Sequence, residues 1–317
     1  MPRGPKIFVA GHRGMVGSAL VRRLNKGGFD NIVVRSRREL DLLDQRSVYE
    51  FLAAEKPDYV FDAAARVGGI QANSRYGAQF LFENLTIQNN VIHGAHRAGV
   101  LRLMFLGSSC IYPRSAPQPL KEEYLLTGPL EPTNAPYAVA KIAGIKLCET
   151  YSAQYGRAYV SVMPTNLYGP NDKYDLENSH VLPSLLRKAH EAKQRGDSRL
   201  VVWGSGEPLR EFLHVDDLAD ACVFLMERNY TGSLVNVGTG QELTVRALAE
   251  MIVDVAGFRG TLEFDRSKPD GTPRKLLDVS KLATMGWRAS IDLRPGLEAT
   301  YKDFAEHVAV AATPRSM

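Results

Sequence analysis

The chain has 317 residues, of which 44% are hydrophobic and 23% charged, with a formal net charge of +4. That size buries a full core in one large domain or two unequal ones, and the composition is that of a globular enzyme. The charge is too small and dispersed to argue for nucleic acid, no apolar run approaches the ~20 residues of a membrane span, and Cys110, Cys148 and Cys222 are spaced for neither a disulfide framework nor a metal site.

Met1-Pro-Arg-Gly-Pro5 lacks a signal-peptide core, so the expectation is a reduced, cytoplasmic protein. Lys6–Ala10 is a short apolar run ending in glycines, the pattern of a buried parallel strand. Helical spacing follows over Gly14–Lys26, then a strand at Asn31–Arg35, a helix at Gln45–Glu55 and a strand at Tyr59–Ala64. Phe80–Gly99 reads as a long helix, Leu101–Gly107 as a fourth strand and Tyr159–Met163 as a fifth. Thr133-Asn134-Ala135-Pro136 offers a capping residue and an early-helix proline, which puts Tyr137 and Lys141 near a helix start.

After Tyr168-Gly169-Pro170 the rhythm changes. A polar loop (Asn171–Ser179) precedes a helix near Val181–Gln194, a strand at Val201–Trp203, a helix at His214–Glu227, a strand at Leu234–Val237 and a helix at Thr244–Ala256. Strands alternating with helices imply an α/β fold, a Rossmann-type doubly wound parallel sheet with a smaller C-terminal α/β substrate lobe. The expected division is 1–170 with 212–240 for the cofactor lobe, and 171–211 with 241–317 for the substrate lobe.

Gly11, Gly14 and Gly17 follow a strand and open a helix. Such a turn lets backbone approach a pyrophosphate whose charge faces the helix N-terminus. Taken alone, the glycines also fit a plain strand–helix connection. An NAD site offers an acid to the ribose 2′-hydroxyl about twenty residues on. Here that place reads Arg35-Ser36-Arg37-Arg38, and the glycine turn contains Arg13. Arginines match a 2′-phosphate, so NADP(H) is expected, held by Arg13 and Arg37, with Glu39 and Asp41 as nearby competitors.

Tyr137 and Lys141, four residues apart, share a helix face. A neighbouring ammonium lowers the pKa of a phenol, and such a phenol can pass a proton to a carbonyl oxygen while a nicotinamide moves hydride. Ser108, at the end of the fourth strand, can bond the same oxygen. Cys110, two residues on, points the same way as Ser108 in extended chain; it reads equally as an accessible thiol or a small buried hydrophobe. His180 can exchange protons near neutral pH, yet a lone histidine is also commonly structural.

These residues together resemble the extended short-chain dehydrogenase/reductase family of nucleotide-sugar enzymes, from about Lys6 to Tyr301. The specific segments are GHRGMVGSAL from Gly11, GSSCIYP from Gly107, EPTNAPYAVAKIAGIKLCE from Glu131, MPTNLYGP from Met163, WGSG from Trp203, REFLHVDD from Arg210 and KPDGTPRKLLDV from Lys268. Cys110 in GSSC, with Asn178-Ser179-His180, resembles the members that act on GDP-4-keto-6-deoxy-D-mannose. The resemblance implies NADPH-dependent 3,5-epimerisation and 4-reduction of that GDP-sugar, with Cys110 as base and His180 as acid. It implies cofactor contacts from Gly11, Arg13, Gly14, Met15, Val16, Gly17, Arg37, Leu106, Gly107, Lys141, Pro164, Asn166, Leu167 and His180. Substrate contacts map onto Lys188, Trp203, Arg210 and Asp270; the family often has Arg where Lys188 stands, and Lys lacks the bidentate fork. A homodimer through the helices Phe80–Gly99 and Pro136–Gly156 is a further expectation. Other readings of the same scaffold are a nucleotide-sugar 4-epimerase or 4,6-dehydratase, and a non-catalytic NADP-binding regulator.

Overall fold

The computed structural model describes residues 4–176, 179–232, 234–268 and 270–309. Asn178, singled out in the sequence, lies outside these described residues.

The short apolar runs become strands covered by helices on both faces, as a parallel sheet requires. β1 (Ile7–Ala10), β2 (Ile32–Val33), β3 (Tyr59–Asp62), β4 (Arg102–Leu106) and β5 (Ala158–Pro164) alternate with α1 (Met15–Lys26), α2 (Gln45–Glu55), α3 (Ile70–Arg75), α4 (Gly77–Arg97) and α5 (Ala135–Tyr155). Beyond β5 come β6 (Asn166–Tyr168), α6 (Val181–Arg195), β7 (Arg199–Trp203), β8 (Leu209–Arg210), β9 (Phe212–His214), α7 (Val215–Glu227) and β10 (Leu234–Val237). β11 (Leu243–Thr244), α8 (Val245–Ala256), β12 (Thr261–Asp265), β13 (Arg274–Lys275), α9 (Ser280–Thr284) and α10 (Leu293–Asp303) complete the chain's named elements.

The large sheet runs β10-β5-β4-β3-β1-β2, with every neighbouring pair parallel. From β1 the chain leaves to β2 on one side and, after α2, to β3 on the other. The order reverses there, and such a reversal opens a crevice above the carboxyl ends of the strands. Alternate residues supply two cores: Ile7 and Val9 face the α1/α7 side, while Phe8 and Ala10 face α2, α4 and α5. A third core joins α6, α8 and α10 through Leu186, Leu248, Ile252 and Leu297, with Leu200 and Val202 from β7. This is the expected doubly wound sheet with a smaller α/β assembly beside it.

Two details position the site. α5 lies close on β4, because Gly144 leaves room for the Phe105 ring; a Cβ at 144 would stand 2.5 Å from Phe105 Cζ. Glu211 is fully buried, and its carboxylate accepts the amides of Thr239 (2.7 Å), Gly240 (2.8 Å) and Leu277 (2.9 Å). Its backbone carbonyl accepts the Asn166 side-chain amide at 2.8 Å. A buried carboxylate without partners costs several kcal/mol, and these amides offset that cost. They bind the ends of β5, β9, β10 and β13 into one seam.

The expected cap on α5 is not made: Asn134 occupies the N-cap position without a side-chain hydrogen bond, because Pro132–Asn134 coils into a 3-10 turn before the helix. β9 joins β6 in a separate two-stranded ribbon rather than the large sheet. Leu282 and Trp287, after β13, pack into the α1/α7 core.

Candidate active site

The glycine turn has the geometry a pyrophosphate needs. Gly11 adopts φ +80°, a region where L side chains are strained, and a Cβ there would press on Ala63 and Ala64 backbone at 2.9 Å. A Cβ on Gly17 would stand 2.6 Å from the Gly11 carbonyl carbon and 2.8 Å from His12 Cα. No side chain caps α1 at Gly14, so its first-turn amides are available to an anion, and Met15, Val16 and Gly17 are the residues of that turn. A cleft of about 1050 Å³ runs from here along Arg13, Ser36, Arg37, Arg38 and the Ala63–Gly68 segment after β3.

The two competing acids are already engaged. Glu39 accepts the Ser36 amide at 2.7 Å. Asp41 accepts the Leu43 amide at 3.1 Å and lies 3.8 Å from Arg37 Nε. Arg37 is largely exposed, at 75% of its side chain, and is free to reorient onto a phosphate. The Ala63–Gly68 segment is not singled out as a site by the sequence, which reads Ala63 and Ala64 as the end of a strand; that strand stops at Asp62, and a place just past a strand end is the signal for such a segment.

Ser108, Tyr137 and Lys141 come together as expected. The Ser108 hydroxyl lies close enough to the Tyr137 phenol to favour its ionised form. Lys141 is buried at 3% exposure, and its Nζ donates to the Leu106 carbonyl at 2.7 Å. That nitrogen is 4.5 Å from the Phe105 ring centre and 5.9 Å from the Tyr137 ring centre. One expectation reverses. Burial raises the Tyr137 pKa instead of letting the lysine lower it, with the nearby Cys110 adding to the rise and the Ser108 hydroxyl opposing it. The ammonium is committed to Leu106, so desolvation of the phenolate wins. Lys141 itself is drawn down to about 8 by burial, against the attraction of Asp62.

Cys110 does not follow Ser108 in extended chain. Ser109–Ile111 forms a 3-10 turn, and Ser108 Oγ accepts the Cys110 amide at 3.4 Å, so strand alternation does not apply. The thiol is nevertheless in the site: half-buried, within the electrostatic reach of Tyr137 and Lys141. Burial pushes it up, and the Lys275 ammonium, the Ser108 hydroxyl and Lys141 pull it down. His180 occupies the N-cap position of α6 without capping it. Its ring retains exposed surface, yet surrounding protein and then Lys275 push its pKa down, as at a cleft wall. Lys275, two residues before the amide that Glu211 holds, therefore acts electrostatically on both proton-transfer candidates. The sequence reading missed it because a two-residue strand leaves no periodic signature.

The remaining residues ring the opening. Lys188 Nζ lies 4.9 Å from the Trp203 ring centre, and burial lowers its pKa. Trp203 is 43% exposed, enough for a flat ligand face. Arg210 pairs in register with Lys275, and Asp270 binds Ser205 through its amide (2.7 Å) and hydroxyl (2.8 Å). Asp270 thus first braces the Gly204–Ser205 turn beside Trp203. Pro164 ends β5, Asn166 and Leu167 open β6, and Leu106 and Gly107 lead from β4 to Ser108.

Residues 7–238 match the model of the NAD dependent epimerase/dehydratase family. The chain belongs to that family. Among the family's relatives, GDP-L-fucose synthase 1 of Arabidopsis thaliana is 59% identical over 307 residues, covering 96% of this chain and 95% of its own. GDP-L-fucose synthase of Escherichia coli (strain K12) is 55% identical, covering 95% and 97%. The crystal structure of a GDP-L-fucose synthetase from Naegleria fowleri bound to NADP superposes with a TM-score of 0.88 at 28% identity, covering 96% of this chain and 95% of that one. Among the described residues no helix is long and apolar enough to cross a membrane, and no cluster of His, Cys, Asp and Glu could hold a metal.

Proposed function

We propose that this protein converts GDP-4-keto-6-deoxy-D-mannose to GDP-L-fucose by NADPH-dependent 3,5-epimerisation and 4-reduction. The observation that supports it is that Cys110 lies in the electrostatic neighbourhood of Tyr137 and Lys141, while Lys275 acts on both Cys110 and His180. A plain reductase needs only Ser108, Tyr137 and Lys141. Relatives at 55% and 59% identity named GDP-L-fucose synthase support the same reading.

The strained glycine turn, the uncapped α1 and the arginines beside them fit NADP(H). When bound, NADPH supplies hydride to sugar C4. The Cys110 thiolate removes the proton from C3, which the C4 ketone acidifies, and His180 returns one on the opposite face; the same pair acts at C5. Ser108 and Tyr137 donate hydrogen bonds to the enolate oxygen, stabilising charge as it develops. In the reduction Tyr137 gives its proton to O4, and Lys141 holds the ammonium that stabilises the resulting phenolate. Lys188 and Arg210 carry the charge to meet a diphosphate, Trp203 offers a face for packing, and Asp270 acts by bracing its loop.

The lobe division read from the sequence is supported by β10 lying beside β5 and by the separate core around α6, α8 and α10, with the stretch near Trp287 crossing back to the larger lobe. A homodimer through α4 and α5 is supported by their exposed apolar residues, Phe82 at 68% and Val139 at 46%. The free cysteines, with Cys148 and Cys222 buried, suit a cytoplasmic protein.

The test is turnover of GDP-4-keto-6-deoxy-D-mannose with NADPH in deuterated water. Stoichiometric NADPH loss with label at C3 and C5 is expected. NADPH loss without label would leave a ketoreductase and remove Cys110 and His180 from the chemistry.

A further inference from the structure

Beneath the site, register partners of β3, β4 and β5 set Asp62, Phe105 and Ser161 in one row across the sheet. Neighbouring partners in parallel strands share a face, and this face is the one α5 covers. Lys141 lies over the row, bonded to Leu106 and stacked on the Phe105 ring. Asp62 is fully buried; Oδ1 accepts the Ala64 amide at 3.3 Å, while Oδ2 has no hydrogen-bond partner among the described residues. An ionised carboxylate so placed needs a counter-charge.

The titratable groups that face Lys141 are Asp62 from β3, Cys110 from the turn after β4, and Tyr137 and Cys148 from its own helix; α4 contributes the neutral Gln88. Burial pushes the two thiols and the phenol upward, so their neutral forms are favoured at neutral pH. Asp62 is the one carboxylate among them. We infer that Asp62 is the counter-charge that keeps Lys141 an ammonium, and so acts on the reaction as a positioning residue through Lys141.

The titrations agree with this geometry. Burial pushes Asp62 up to about 6, opposed by Lys141, and draws Lys141 down to about 8, opposed first by Asp62. Between those values both groups are charged. With a neutral residue at 62, the ammonium keeps its desolvation cost and loses its largest attraction, so its proton leaves at lower pH.

The test uses the full chain carrying Asp62→Asn, and Asp62→Leu as a second variant that also removes the unpartnered oxygen. Lysines labelled with ¹³C at Cε are titrated by NMR, with Lys141→Met assigning the resonance. The expected result is a shift of the Lys141 titration toward acid by roughly one pH unit. The alkaline limb of kcat for the GDP-sugar reaction moves with it, since the ammonium is lost as pH rises through the Lys141 pKa. A parent-like Lys141 titration in both variants overturns the inference, even if their melting temperatures fall, because a merely structural Asp62 would change stability alone. Only the kinetic arm rests on the proposed function; if the sugar is not turned over, the NMR titration still decides the role of Asp62.

Discussion

Gly17→Ala is the sharpest probe of the cofactor turn. The new methyl would meet the Gly11 carbonyl carbon at 2.6 Å and His12 Cα at 2.8 Å, both backbone atoms that no rotamer can move aside. Reaching an ordinary carbon–carbon contact takes a displacement of roughly 1 Å. Gly11 itself packs close against the Ala63–Ala64 backbone, so the strain is relieved by α1 lifting from β1. That motion strains the Gly14 amide bond to Gly11 (2.9 Å) and carries the α1 amides away from the pyrophosphate. Losing one charge-assisted hydrogen bond costs about 1.5–3 kcal/mol, roughly 10- to 150-fold in Kd. Overpacking removes a further ~1–3 kcal/mol of stability. NADPH fluorescence titration of the folded variant measures the first effect and a thermal melt the second. At saturating NADPH, kcat should remain within a few-fold of the parent, since Tyr137 and Cys110 stand on other elements. A folded Gly17→Ala variant with parental NADPH affinity would refute the placement of the pyrophosphate.

Arg13→Ala and Arg37→Ala should weaken NADPH while sparing NADH, each by about 1.5–3 kcal/mol if bonded to the 2′-phosphate; an unchanged ratio of kcat/KM for the two cofactors would move that phosphate elsewhere. Lys188→Ala should raise KM for the GDP-sugar with kcat nearly intact, by roughly 10- to 150-fold if its ammonium bonds the diphosphate. Deuterium exchange at C3 should climb with pH from about 6 toward 8, because burial holds the Cys110 thiol above its ordinary value and each unit below that pKa leaves roughly tenfold less thiolate. His180 is pushed below its ordinary value and titrates ahead of the thiol, and wash-in at C3 needs only the base; exchange independent of pH would exclude the thiolate. Phe82→Glu with Val139→Glu should give a monomer by light scattering, and a persisting dimer would locate the interface elsewhere.

The buried strands and the long helices were legible because their apolar period is strong over four or more residues. So was the pairing of Tyr137 with Lys141, which needs only helical spacing. The two-residue ladders β8, β11 and β13 were not, since no period exists over two positions, and with β13 went Lys275. The turn at Cys110 was also hidden, because Ser-Ser-Cys reads as a strand continuation until Ser108 Oγ is seen to accept the Cys110 amide. The sign of the Tyr137 shift could not be read from spacing either. It depends on where Lys141 sends its proton and how much water reaches the phenol, both of which are tertiary facts.

The place of β10 has a consequence for biosynthesis. It completes the large sheet beside β5, yet 73 residues separate Pro164 from Val237. At about 5–20 residues per second, the growing chain spends roughly 4 to 15 s with β5 translated and its outer edge unpaired. Ala158–Pro164 is an apolar strand buried at six of its seven positions, so its bare edge is a template for strand pairing between nascent chains. Slower growth temperatures prolong that interval but weaken hydrophobic association, whereas chaperones that shield the edge remove the hazard at any speed. The edge that β10 closes thus stays open for as long as the intervening lobe takes to be made.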